Sequence, residues 1–260
     1  MASAASEALP VIFRDDNLIA IHKPAGLLVH RSALDRHETR FALQMLRDQI
    51  GRQVYPVHRL DKGTSGVLLF ALDHEVGTLL NRQFERGEVS KSYLAVVRGY
   101  PPEAGEINHP LPRMADEHAG IAAGSVAQSA LTRFRRLATV ELPYRVDRYP
   151  SSRYALLELT PFTGRRHQLR RHLKHIAHPI IGDATHGKGR HNRLFQDLFG
   201  CGRLLLAATE MRLAHPVSGQ SLLLQAGPSA DFVDVIARLG WLEAVKAPQP
   251  ITMPDPILAN

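Results

Sequence analysis

The segment HRLDKGTSG, residues 58–66, places a polar loop between two apolar runs and determines how the rest of the chain is interpreted. It ends the strand-like run VYPVHRL (54–60) and begins the strand-like run GVLLFAL (66–72). Its two glycines permit a tight bend, so the carboxylate of Asp61 is expected to project from a rigid sheet into a cleft. The alternative is that Asp61 only bonds nearby backbone amides. That is the common use of Asp in loops and, for this segment alone, the favoured interpretation.

Outward from this loop, strand-like runs alternate with helical patterns. The predicted strands lie within VIFRDDNLIAIHKPAG (11–26), SYLAVVRGY (92–100), ALTRFRRLATVEL (130–142), YALLELTP (154–161), RLLLAATEMRL (203–213) and SLLLQA (221–226). The predicted helices lie within 39–50, 73–86, 163–176 and 232–241. Residues 100–127, rich in Pro, Gly and Ala, are expected to form a surface excursion between strands. This pattern predicts an α+β fold with a mixed, mostly antiparallel sheet flanked by helices.

The amino-acid composition slightly favours a polyanionic binding partner. Lys and Arg outnumber Asp and Glu by 32 to 25, and 14 histidines add positive charge below neutral pH. A basic surface attracts nucleic acid through phosphate contacts, although many basic domains have no such partner. The single cysteine, Cys201, favours a reducing compartment, and no run has the length of a membrane span or the pattern of an export leader. We therefore expect a cytoplasmic protein.

Helical geometry selects one arginine from the basic segment TGRRHQLRRHLKH (163–175). The face expected to be buried consists of Leu169, His172, Leu173 and Ile176, spaced i, i+3, i+4 and i+7. Arg171 and Lys174 point away from that face and suit phosphate contacts. Arg170 lies at the edge of the buried stripe, where it is the arginine best placed to meet a partly buried carboxylate. An arginine held beside Asp61 would favour the charged form of that carboxylate. The alternative is an ordinary solvated basic face.

Other polar residues that could serve a functional site also have an ordinary structural interpretation. Tyr93, in KSY (91–93), is able to stack on a base, but an aromatic packed on a sheet face is the more common case. Three histidines near the basic helix, His172, His175 and His178, suggest a metal-dependent hydrolase only weakly, because no cysteine or carboxylate accompanies them. Core or phosphate-contact roles are favoured for them, and no metal is expected.

Taken together, these motifs resemble those of the RluA-type pseudouridine synthases. The matching segments are KPAG (23–26), HRLDKGTSG, KSY, TGRRHQLRRHL (163–173) and PIIGD (179–183), in that order. The resemblance implies the pseudouridine synthase catalytic fold as a single domain over residues 10–245, with a disordered start at 1–9 and a loose tail at 246–260. It also implies isomerisation of a uridine in RNA, without metal or organic cofactor.

The resemblance also implies roles for individual residues. Asp61 is the catalytic carboxylate, either as nucleophile or as the group that removes a sugar proton. Arg59 occupies the place that the flipped base leaves, Tyr93 stacks on the uracil and assists removal of the C5 proton, and Arg170 pairs with Asp61. The remaining expected RNA contacts are Arg165, Arg166, His167, Arg171 and Lys174.

Two longer stretches are similar to the tRNA pseudouridine synthase C branch, which modifies the uridine at position 65 of tRNA. They are YPSSRYALLELTPFTGRRHQLRRHL (149–173) and GDATHGKGRHNR (182–193). Because KPAG begins as early as Lys23, no S4-type RNA-binding domain is expected upstream of it. The alternatives are a relative that acts on 23S ribosomal RNA and a non-catalytic RNA-binding protein on this fold. No membrane and no obligate protein partner are expected.

Overall fold

The computed structural model describes residues 8–31, 38–114 and 124–246. Its strands are β1 (Val11–Arg14), β2 (Leu18–Lys23), β3 (Tyr55–Pro56), β4 (Ser65–Ala71), β5 (Ser90–Arg98), β6 (Ala104–Asn108), β7 (Leu111–Arg113), β8 (Gly124–Gln128), β9 (Leu131–Leu142), β10 (Ser152–Pro161), β11 (Leu206–Ala214) and β12 (Ser221–Gln225). Its helices are α1 (Ala42–Ile50), α2 (His74–Glu85), α3 (Gln168–His175), α4 (Gly189–Phe199), α5 (Ala230–Arg238) and α6 (Leu242–Lys246).

Ten of these strands form one sheet in the order β1-β2-β4-β11-β5-β10-β9-β6, with β3 paired to β4 and β12 paired to β11. Among the described strands, only β4 and β11 pair in parallel, whereas each of the other pairs is antiparallel. The strands β7 and β8 form a separate two-stranded sheet. This arrangement confirms the predicted α+β class with a mixed, mostly antiparallel sheet.

The centre of the sheet is buried on both faces because helices cover both sides. Side chains of β5 alternate between the faces. Leu94 and Val96 pack with Phe195 of α4 and Phe232 of α5 on one side. On the other side Ala95 and Val97 belong to the cluster that contains Leu169 and Leu173 of α3. The predicted basic helix thus does bury its apolar stripe, and it does so against the strand that carries Tyr93.

The structure differs from the expected strands in two places. The predicted strand over 54–60 is reduced to β3, because the backbone N–H of Leu69 donates to the imidazole of His58 at 3.0 Å and a side chain takes the place of a strand carbonyl. The predicted excursion over 100–127 contains β6 and strands of the small sheet, because Ile107 and Leu111 bury their side chains. Residues 115–123 of that segment lie outside the described part. The helix α4 was not predicted.

The ends of the chain were expected to be loose. Leu9 is buried, and its backbone N–H donates to Oε1 of Gln49 at 2.7 Å, so order begins before residue 10. The rest of the predicted start, 1–7, and the tail beyond Lys246 lie outside the described residues. In the part of the chain that the structure covers, no helix is long and apolar enough to cross a membrane.

The polar loop meets the sheet at Gly66, and here a glycine is required. Gly66 has φ 113°, a conformation that L side chains rarely adopt. A Cβ at this position would lie 1.9 Å from the carbonyl oxygen of Ala208 on the parallel neighbour β11. The only parallel pairing among the described strands therefore depends on the absence of a side chain at residue 66.

We predict that Gly66→Ala lowers the free energy of unfolding by about 3 kcal/mol or more, because strain at φ adds to a clash with backbone. Chemical denaturation with urea measures it. The matched control is Gly77→Ala within α2, where a Cβ would lie 3.7 Å from Ala71 and from Tyr55, an ordinary contact. That variant is expected to be neutral or stabilised by about 0.5–1 kcal/mol. Equal stabilities of the two variants would contradict the account.

Candidate active site

Asp61 lies in the turn that precedes β4. Its carbonyl accepts a hydrogen bond from the backbone N–H of Thr64 at 3.0 Å, which closes the turn. The KPAG segment holds the loop from the other side. The backbone N–H of Gly26 donates to the carbonyl of Lys62 at 2.8 Å, and Nζ of Lys23 donates to the same carbonyl at 3.2 Å. The carboxylate of Asp61 is therefore carried by a loop that is fixed on two sides.

Lys23 is completely buried and is surrounded by backbone oxygens. Besides the carbonyl of Lys62, its amine donates to the carbonyls of Leu27 at 2.7 Å and Pro24 at 2.9 Å. Burial, followed by the nearby charge of Arg203, lowers the pKa of Lys23 to about 7. Lys23 belongs to the framework of the site, a role that was not expected beyond its membership in the KPAG motif.

Arg170 contacts Asp61 from the edge of the buried face of α3. Its Nη1 lies 3.0 Å from Oδ2 of Asp61. The same guanidinium also forms a two-pronged pair with Asp183, with Nε 2.7 Å from Oδ2 and Nη2 2.8 Å from Oδ1. A planar guanidinium is suited to such a geometry, because it offers several donors in a rigid fork. Arg170 thus bridges two carboxylates, of which only Asp61 faces the cleft.

Asp183 comes from PIIGD and was not predicted as a site residue. Its side chain is 1% exposed, and Oδ1 also accepts hydrogen bonds from the backbone N–H groups of Thr185 and His186. Burial acts to raise the pKa of Asp183, but the hydrogen bonds from Arg170 and from these amides outweigh it, so the pKa lies below its ordinary value. The residue is a charged anchor for Arg170.

His167 was predicted as an RNA contact, and the structure places it next to the carboxylate. Its Nε2 lies 3.9 Å from Oδ1 of Asp61, and its Nδ1 lies 3.1 Å from Nε2 of His186. Burial lowers the pKa of His167 to about 4 despite the opposing charge of Asp61, so the imidazole is neutral near pH 7. The residue has φ 54°, a left-handed conformation in which histidine is enriched among non-glycine residues. Sequence spacing gives no signal for such a turn.

A buried polar network fixes the start of α3 and hence Arg170. The Gln168 amide donates to Oγ1 of Thr132 and to the carbonyl of Leu131, each at 3.0 Å, and its oxygen accepts from Oγ1 of Thr163 at 2.7 Å. Nδ1 of His172 lies 3.0 Å from the Thr132 hydroxyl. Fully paired buried polar groups rigidify a structure. The network therefore ties α3 to the start of β9.

The cleft that Asp61 faces has a volume of about 590 Å³. Its lining includes several residues expected at the site: Arg59, Asp61, Tyr93, Arg165, Arg166, His167 and Arg170. Tyr93 lies on β5, opposite Leu159 of β10. Burial, followed by the charge of Asp61, raises the pKa of Tyr93, so its hydroxyl stays protonated. Residues from the separate motifs therefore line one cavity, although they are distant from one another in the sequence.

Two of the expected RNA contacts do not line this cleft. Nη1 of Arg171 donates to the carbonyl of Pro112 at 3.0 Å, which links α3 to β7, and Lys174 is exposed on the outer side of the helix.

The nearby histidines are engaged separately. Nε2 of His172 lies 3.0 Å from the carbonyl of His109, the ring of His175 stacks on that of His109, and Nδ1 of His178 lies 2.8 Å from the carbonyl of Arg98. Within the described residues, no group of three potential ligands could hold a metal ion.

Residues 17–175 match the family model described as RNA pseudouridylate synthase. The matched region contains Asp61, Tyr93 and Arg170 and ends before Asp183. The chain belongs to this family. It is therefore a pseudouridine synthase, an isomerase that acts on RNA uridine.

Curated relatives with one name cover most of the chain. The tRNA pseudouridine synthase C of Vibrio cholerae is 47% identical over 239 residues, covering 91% of this chain and 98% of the relative. Its counterpart in Pasteurella multocida is 50% identical over 235 residues, covering 90% and 97%. The counterpart in Pectobacterium carotovorum is 51% identical over 235 residues, but the chain spans only 62% of that relative.

Solved structures agree with this membership. Human RNA Pseudouridylate Synthase Domain Containing 4 is 27% identical, with a TM-score of 0.66 over 89% of this chain and 93% of that protein. Human RNA Pseudouridylate Synthase Domain Containing 1 is 23% identical, with a TM-score of 0.67 over 96% and 100%, and supports the fold alone. The synthase thus combines a known fold with the Asp61–Arg170–Asp183 arrangement described above.

We predict that Asp183→Asn lowers the stability of the synthase by about 3 kcal/mol, because it leaves the buried guanidinium without one of its two charged partners. It is also expected to lower the rate at saturating RNA at least tenfold, because Arg170 loses the anchor that aims it at Asp61. Thermal unfolding and single-turnover assays below the unfolding temperature measure the two effects.

The control is Asp234→Asn, which removes the carboxylate of an exposed ion pair with Arg238 on α5. It is expected to cost at most about 0.5 kcal/mol and to leave the rate unchanged. An Asp183→Asn enzyme as fast as the control would show that Asp183 does not position Arg170.

Proposed function

We propose that the synthase converts one uridine of tRNA, the uridine at position 65, to pseudouridine. The relatives in Vibrio and Pasteurella carry the name tRNA pseudouridine synthase C and match nearly their whole lengths. The observation that carries the chemistry is the pairing of Asp61 with Arg170 inside a cleft lined by arginines. A basic chain suits a polyanionic substrate, and we place the enzyme in the cytoplasm with its tRNA.

The target base must leave its stack before the cleft can receive it. Arg59 is exposed at the cleft, two residues before Asp61, and its planar guanidinium is able to stack as well as bond. We assign it to the space that the flipped base vacates. Arg165 and Arg166, which also line the cleft, and Arg171 and Lys174, which lie outside it, contact phosphates of the RNA.

The reaction breaks the bond between N1 of uracil and C1′ of ribose, rotates the base and forms a bond from C1′ to C5. The proton on C5 is then lost, and N1 gains one. Asp61 acts at the sugar, as nucleophile or by removing a sugar proton. In either role an ionised carboxylate is needed, and Arg170 favours that form by its charge and its hydrogen bond.

Tyr93 forms part of the cleft wall and stacks on the uracil. Burial and the charge of Asp61 raise the pKa of Tyr93, so its hydroxyl is protonated and cannot accept the C5 proton before it loses its own. His167, also neutral, lies within reach of the same carboxylate and helps to shape the space around it. Residues 10–245 act as a single catalytic domain.

The test is release of tritium from tRNA that carries 5-tritiated uridine. The wild-type enzyme is expected to release the tritium of one uridine per tRNA molecule. Carbodiimide mapping should place the product at position 65. Asp61→Asn should bind tRNA with an affinity within about threefold of the wild type but reduce turnover at least 10³-fold, because it keeps the shape and loses the charge.

A product confined to ribosomal RNA would overturn the substrate assignment. Substantial turnover by Asp61→Asn would overturn the assignment of the carboxylate, whatever the substrate.

A further inference from the structure

A second basic surface lies away from the catalytic cleft. It consists of Arg145, Arg148 and Tyr149 in the loop between β9 and β10, together with Lys188 and Arg190 at the start of α4, and we refer to these five residues as the distal basic surface. All five are exposed, Tyr149 with 57% of its surface accessible. Tyr149, Lys188 and Arg190 come from the stretches YPSSRY (149–154) and GDATHGKGRHNR (182–193), and Arg145 and Arg148 lie just before the first of them.

This surface is net positive because the carboxylate of its acidic neighbour, Asp147, is already paired, although it is 41% exposed. Asp147 is the only acidic residue in the loop 143–151. Its carboxylate accepts a hydrogen bond from Nη2 of Arg98 at 3.0 Å and lies 3.2 Å from Nε2 of His191. The basic side chains on either side of Asp147 are thus left facing solvent, where like-charged groups attract a polyanion.

The loop is held in place by a buried cluster, although it is exposed. The hydroxyl of Tyr154, which has no exposed surface, lies 2.7 Å from Nδ1 of His191. Nε of Arg98 donates to Nε2 of the same imidazole at 3.0 Å, and Oγ of Ser152 donates to the carbonyl of Tyr144 at 2.8 Å. A loop fixed in this way loses little conformational entropy when a ligand binds.

The distal basic surface combines cations with an aromatic ring. The guanidinium carbon of Arg148 lies 4.7 Å above the ring centroid of Tyr149. Arginine and tyrosine side by side suit a nucleic acid, because arginine pairs with phosphates and a tyrosine face accepts a base or a sugar. An acidic peptide would use the charges but has no need of the exposed ring.

The distance from the cleft excludes direct contact with the target nucleotide. Tyr93 in the cleft and Arg98 beneath the loop are five residues apart on β5, which corresponds to about 17 Å. The two regions are nevertheless connected. The side-chain amide of Asn192 in α4 donates to the carbonyl of Asp183 at 3.1 Å, so α4 begins next to the anchor of Arg170. His191, which follows Arg190 in α4, lies 3.2 Å from Asp147 of the loop, so α4 contacts both regions.

We propose that the distal basic surface is a second RNA-binding site, which holds the backbone of the folded substrate RNA at a distance from the uridine in the cleft. The proposal rests on the proposed function in that the ligand is the same tRNA. It assigns to the surface a share of the affinity for the intact RNA and no part in the chemistry. Because the two sites are far apart, a folded RNA that contacts both is expected to bind more tightly than a short hairpin that contacts only the cleft.

The experiment compares two charge-reversed enzymes by fluorescence anisotropy with two labelled RNAs. Arg145→Glu/Arg148→Glu alters the distal basic surface, and Arg47→Glu/Arg52→Glu makes the same change of charge on and after α1, where both side chains are exposed. One RNA is the intact tRNA. The other is a hairpin of four base pairs around the target uridine, which lacks the rest of the folded RNA that the proposal places on the distal basic surface.

The distal variant is expected to bind intact tRNA about tenfold more weakly than the control variant, and to bind the hairpin with the same affinity as the control. The slope of log affinity against log salt for intact tRNA should fall by about 1.5, as for the loss of two phosphate contacts. Thermal unfolding verifies that both variants are folded. A second pair, Lys188→Glu/Arg190→Glu, should reproduce the result from the other side of the surface.

Equal binding of intact tRNA by the distal and control variants would overturn the proposal, as would an equal loss with tRNA and hairpin. These outcomes concern binding and do not depend on turnover. If the wild type failed to isomerise tRNA while the distal variant still lost affinity selectively, the proposed function would fail and the second site would stand.

Discussion

The guanidinium of Arg170 lies between two carboxylates, one at the cleft and one in the interior, and the site depends on this arrangement. Asp183, at 1% exposure, takes two of the donors and Asp61 takes a third. A buried arginine with a single partner would be expensive to retain. The interior carboxylate therefore does more than stabilise: it sets the direction in which the remaining donor points, and that donor meets the residue to which we assign the chemistry.

The rest of the fold brings these three residues together from separate elements. Asp61 is carried by a turn that Lys23 and Gly26 fasten from the KPAG segment. Arg170 is carried by α3, which the Gln168–Thr132 hydrogen bond ties to β9. Close approach of β4 and β11 at Gly66 holds the far end of the polar loop. Each connection is a backbone or buried polar contact, so the position of the carboxylate is set by the fold and not by the substrate.

Sequence patterns revealed the part of the site that local geometry determines. Helical spacing alone placed Arg170 at the edge of the buried stripe, and the resemblance supplied its partner. Asp183 was missed because it follows the helix in an irregular segment, where no periodicity relates it to Arg170. His167 was assigned to RNA because nothing in the residue order indicates its left-handed backbone. The strands within 100–127 were missed because they contain few apolar residues. Residues such as Ile107 are recognisable as buried strand residues only once the neighbouring strand is known.

The most direct test of the central claim is the single-turnover rate of Arg170→Lys at saturating tRNA. Lysine keeps the positive charge but lacks the planar fork, so it is unable to bond both carboxylates in the same geometry. We expect the rate to fall at least 100-fold, which corresponds to about 2.7 kcal/mol of barrier, while tRNA affinity changes by less than about threefold. A rate within about threefold of the wild type would contradict the account, because charge alone would then suffice beside Asp61.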